Sequence, residues 1–115
     1  MAESIFKSEE CEVILFGPLA TIGGFGITRR TLLATGGGKV VLFSLDEGQE
    51  LAEHTNPNHV LIQVLTGSLN LVLDGKRRVL APGELLHMPP QLPHALRANN
   101  STSFLLMLLA PVTIP

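Results

Sequence analysis

The residues best suited to chemistry at neutral pH are four histidines, His54, His59, His87 and His94. Imidazole titrates near pH 6.5 and, when neutral, is the commonest metal ligand among side chains. His54 and His59 open the stretch "EHTNPNHVLIQVLTGSLNLVLDG", and His87 and His94 bracket "HMPPQLPH". Two readings compete. The histidines could form a metal site divided between two strands, or they could be ordinary hydrogen-bonding residues at the edges of a β-barrel. A firm Zn2+ site takes three or more protein ligands at about 2.0–2.2 Å. His54 and His94 would therefore need a third donor from Asn56, His59, Gln63 or water, and the amide oxygen of Asn56 brings no negative charge.

Other chemistries find little support. Neither a Ser-His-Asp nor a Cys-His arrangement is suggested, and the single cysteine, Cys11, lies far from the histidines in sequence. "GGGK" at Gly36 to Lys39 lacks the spacing and the following hydroxyl of a phosphate loop, which makes it a turn. Glu50 and Glu53 precede His54, with Glu53 on the opposite strand face, and Glu84 suits a turn-stabilising role. A net charge of -2, with no basic run longer than Lys76-Arg77-Arg78, argues against nucleic acid as a partner. So does the lack of Trp and Tyr, the rings on which bases stack.

The elements that must position these residues are strands. At 115 residues and 45% hydrophobic content the chain has material for one core and one domain. Gly and Pro cut it into short runs: "EVILF", "GITRRTLLA", "KVVLFSL", "HVLIQVLTG", "SLNLVLD", "KRRVLA", "ELLHM" and "TSFLLMLL". In "SLNLVLD" Leu69, Leu71 and Leu73 alternate with the residues between them, the period of a half-buried strand. Asp74-Gly75 is a strong two-residue hairpin signal. No window of a dozen residues free of Gly and Pro has helical periodicity. The class expected is all-β, a sandwich or a barrel.

The apolar run Val13 to Ile27 is preceded by acids and broken by Gly17, Pro18, Gly23, Gly24 and Gly26, unlike a signal or membrane segment. The expectation is a cytoplasmic protein with no membrane partner. Residues 1–11 are polar and expected to be loosely attached.

Strand parity sorts the histidines. Ligands on one strand must share a face, as His54 and Asn56 do. On a regular strand His59 points outward with Gln63. A slip of one residue at Pro57-Asn58 would turn it inward, since such a slip inverts every side chain. His87, between Leu86 and Met88, is expected to point away from the pocket.

Gly48, His54 and Gly67, followed by Gly83, Pro89 and His94, resemble the two motifs of the cupin superfamily in type, order and spacing. The resemblance covers about residues 28–110. It implies a cupin jelly-roll barrel (a double-stranded β-helix) of six to eight strands, usually paired as a homodimer. Residues 1–27 then form an N-terminal segment with the first strand or strands, 28–110 the barrel and 111–115 a tail.

The family's metalloenzymes take two His and a Glu from the first motif and a His from the second. Here Asn56 stands in the second-His slot, Val60 in the carboxylate slot, Gln91 in the place of a usual glycine and Ala98 in that of a usual Asn. The expected pocket is narrow and aliphatic. It holds a small ligand, with or without a divalent transition metal (Zn, Mn, Fe or Ni) at low occupancy on His54, His94 and Asn56 or His59. The alternative is a metal-dependent dioxygenase or isomerase using His54 and His94, and fold alone does not choose between them.

Overall fold

The computed structural model describes residues 4–20 and 26–112. Among the described residues a short helix, α1 (Phe16–Ala20), precedes nine strands. They are β1 (Ile27–Ala34), β2 (Gly38–Leu45), β3 (Glu50–His54), β4 (His59–Thr66), β5 (Leu69–Leu73), β6 (Lys76–Leu80), β7 (Leu85–Met88), β8 (His94–Ala98) and β9 (Thr102–Leu109). They form two antiparallel sheets, β1-β2-β9-β4-β7 and β3-β8-β5-β6. The expected all-β jelly-roll barrel is thus the fold, with one strand more than the upper limit expected.

Alternation decides which side chains meet between the sheets. Val41, Phe43 and Leu45 of β2, Val60, Ile62 and Val64 of β4, Leu69 and Leu71 of β5, and Phe104 of β9 are buried there. The rings of Phe43 and Phe104, paired across β2 and β9, stack with centroids 5.1 Å apart. Burying each such side chain contributes about 1.5–3 kcal/mol relative to exposure. The β5–β6 hairpin closes at Asp74-Gly75, both with positive φ (49° and 79°), the pattern of a type I′ turn.

Three sequence expectations change. "EVILF" is not a strand: residues 11–15 are irregular and Phe16 begins α1. The N-terminal segment is also less loosely attached than its polarity suggests, because the N–H groups of Ile5 and Phe6 donate to the carbonyls of Thr31 and Leu32 at 2.9 and 2.7 Å. Finally, β3 and β8 do not stand out as hydrophobic runs, yet they carry the two histidines of interest. The breaks expected at Gly23 and Gly24, like the last residues of the 111–115 tail, lie outside the described residues.

Candidate functional site

His54 ends β3 and His94 begins β8, and the two are cross-strand partners. Leu51 pairs with Leu96, so three steps along β3 match two along β8. This bulge places His54, which strict alternation from Leu51 would turn outward, on the same face as Leu51. The two rings lie 4.2 Å apart, centroid to centroid, tilted by 59°. His94 is buried, 3% exposed, whereas His54 is open to solvent.

Both rings are oriented by the backbone. His54 Nδ1 lies 2.8 Å from the Ala52 carbonyl oxygen and His94 Nδ1 lies 2.9 Å from that of Leu92. A carbonyl oxygen only accepts, so each Nδ1 carries the proton and each neutral ring keeps its lone pair on Nε2. Burial lowers the His94 pKa below its ordinary value, and the neighbouring His54 acts the same way, against the raising effect of the Leu92 carbonyl. Among the described residues no buried side-chain nitrogen or oxygen lacks a partner, so His94 Nε2 reaches solvent through the adjoining cavity.

That cavity, of about 460 Å³, opens at the barrel mouth, and His54, Asn56, Val60 and His94 all line it. Asn56 spends its Oδ1 on the Asn58 N–H at 2.9 Å, and its carbonyl accepts the Gln91 N–H at 2.7 Å. Gln91 adopts a φ of 68°, which accounts for the glycine that the second motif usually carries there. The Asn56–Gln91 bond ties the first motif to the second beside the histidines.

His59 does not join them, which corrects its inclusion among the candidate ligands. Val60, Ile62 and Val64 are buried in the core, so alternation turns His59 to the outer face of β4 with exposed Gln63. There its Nδ1 meets His87 Nε2 at 2.9 Å and the rings stack 5.1 Å apart. Val60, in the carboxylate slot, is 2% exposed and presents only methyl groups. Among the described residues no cluster of three or more His, Cys, Asp or Glu side chains is placed to hold a metal. Two imidazole nitrogens fall short of the three ligands of a firm site.

Sequence reasoning missed the cations. Arg29, Arg30 and Lys39 line the same cavity and, among the described residues, no Asp or Glu does, so the mouth is not simply aliphatic. The signal was available in strand parity, since Lys39 alternates in phase with inward Val41, Phe43 and Leu45. A larger concavity, about 620 Å³, lies over the other sheet and is lined by Glu50, Asn70, Arg77 and Arg97 among others. Its charges are mixed, Arg97 pairs with Glu50 at 3.7 Å, and no histidine faces it. The barrel mouth is therefore the better candidate.

Residues 41–110 match the family profile described as Cupin domain. Over 98 residues the chain is 33% identical to quercetin 2,3-dioxygenase of Bacillus subtilis, a match covering 84% of this chain but 28% of that protein. Among solved structures it resembles a conserved protein from Streptococcus pyogenes, with a TM-score of 0.82, 28% identity, and coverage of 96% of this chain and 97% of that one. It also resembles a cupin superfamily protein from Desulfitobacterium hafniense, with a TM-score of 0.81, 17% identity, and coverage of 96% and 99%.

Proposed function

The chain belongs to the cupin family, and from that premise we propose that it binds a small molecule in the mouth of its barrel, beside His54 and His94. One observation carries the reading: backbone carbonyls hold both Nδ1–H groups, leaving two Nε2 lone pairs for an occupant of a cavity with apolar walls. A divalent transition metal is a secondary occupant, held weakly by the two nitrogens, and no reaction step is assigned to it. A second reading, a metal-dependent oxygenase, is favoured by the 33% identity to a named dioxygenase, of which this chain spans 28%. The proposed setting is cytoplasmic, which suits a single free cysteine. The proposed assembly is a homodimer formed through the outer face of the five-stranded sheet.

The test is a titration with fragment-sized organic molecules, followed by backbone amide NMR. Signals around Val60 and Leu108 should shift, and His54→Ala and His94→Ala should weaken those shifts. Shifts confined to the concavity lined by Glu50 and Arg77 would overturn the reading. Calorimetry with Zn2+ at neutral pH should show weak binding that is lost in His54→Ala and His94→Ala but kept in His59→Ala. No binding by the parent would remove the metal and leave the small ligand.

A further inference from the structure

We propose that the occupant of the barrel mouth is a small organic carboxylate with an apolar body and a free hydroxyl, an inference that rests on the binding site proposed above. Charge is the first argument. Arg29, Arg30 and Lys39 line the cavity and, among the described residues, no carboxylate does, although the chain as a whole is net negative. Among the described residues the one ion pair joins Arg97 to Glu50, so none of the three cations is neutralised by a partner there.

Register shows that two of these cations belong to the inner face. Arg29 pairs with Phe43, which pairs with Phe104, and Lys39 pairs with Leu108, which pairs with Val60. Phe43, Phe104 and Val60 are all core residues, so Arg29 and Lys39 share their side of the sheet. Arg30 pairs with Leu42 on the opposite face and reaches the cavity at its rim. A cationic mouth with low-dielectric walls concentrates anions and repels divalent cations. This also explains why a metal would be held weakly.

The histidines supply the second argument. With Nδ1–H committed to the backbone, Nε2 of each neutral ring accepts hydrogen bonds and does not donate them. A bare carboxylate placed against the pair would face two lone pairs, whereas a hydroxyl can donate to either. The walls supply the third. Val41, Phe43, Val60, Leu106 and Leu108 suit a hydrocarbon or aromatic body better than a hydrated inorganic anion. The cavity, about 460 Å³, lies in the range of small-molecule sites.

The experiment measures affinity for meta- and para-hydroxybenzoate, the matching neutral hydroxybenzamides, benzoate and inorganic phosphate, by NMR titration at low salt. A hydroxybenzoate should bind most tightly, with its amide and benzoate each roughly five- to tenfold weaker. Arg29→Gln and Lys39→Gln should weaken the acid by about fivefold and leave the amide unchanged, while Lys39→Arg retains binding. Raising the salt should weaken the acid only. Both positions are exposed, so the variants should fold, with melting curves as the check. Equal affinity for acid and amide, both lost in His94→Ala, would overturn the charge argument while leaving the binding site standing. Phosphate binding as tightly as the hydroxybenzoates would overturn the organic acid. No binding of any probe to the parent would overturn this ligand class altogether, and the fragment titration would then judge the site independently.

Discussion

His94 is held neutral by its surroundings, and that has a consequence for stability. Burial lowers its pKa first, His54 adds to the effect, and the Leu92 carbonyl opposes both. In the unfolded chain a histidine protonates near pH 6.5. In the fold it protonates at lower pH, so between those two values the unfolded state binds more protons and stability rises with pH. The contribution is complete above about pH 6.5 and is lost on acidification through that window. Melting curves from pH 7.5 down to pH 5.5 should show a falling Tm, and His94→Gln should flatten the decline. An unchanged slope in the variant would show that another group carries the acid sensitivity.

At the scale of elements, two turns with similar backbone make different demands. Gly67 and Gly75 have φ values of 82° and 79°, so a side chain at either strains the backbone by about 1–2 kcal/mol. Around Gly75 an added Cβ meets nothing within 4 Å. At Gly67 it would collide with the Thr102 hydroxyl and the Ser101 carbonyl. Thr102 bonds the Ser68 carbonyl at 3.0 Å and the Asn100 carbonyl at 2.9 Å, so it cannot easily yield. Gly75→Ala should cost about 1 kcal/mol, and Gly67→Ala clearly more, about 3 kcal/mol. Equal losses in a denaturant titration would mean the β8–β9 turn adapts.

The same contrast marks what could be read from the sequence. Asp74-Gly75 was legible because its turn is local, and so were β4 and β9, whose apolar runs are long, and β5, whose leucines alternate. β3 and β8 are five residues each, with Glu and Arg among them, and no run announces them. His54 and His94 were nevertheless found through the motif spacing. Their convergence depends on the bulge after Leu51, which pairing creates and periodicity alone does not reveal. The cations were missed because Arg29 sits on an edge strand, where charge reads as solvated surface until register places it opposite Phe43.

At the scale of the molecule, the two outer sheet faces differ in character. Over the four-stranded sheet stand Glu50, Asn70, Arg77 and Arg97, a surface that water satisfies. On the five-stranded sheet α1 packs against β2, and Leu42 on its outer face is 1% exposed. Farther along the same face Leu61, Leu105 and Met107 are half-buried, while Leu85 and Leu109 are 60% and 45% exposed. Strands apolar on both faces call for a second layer, and a twin related by a twofold axis provides one with the same patch. Light scattering at micromolar concentration should give a dimer for the parent and a monomer for Leu105→Glu. A monomeric parent would refute the assembly. Inward Val60, Leu106 and Leu108 alternate with outward Leu61, Leu105 and Met107, so the proposed dimer face and the cavity use opposite sides of the same two strands. Leu105→Glu should therefore separate the subunits while leaving hydroxybenzoate affinity within about twofold of the parent. A joint loss would mean that the partner helps shape the barrel mouth.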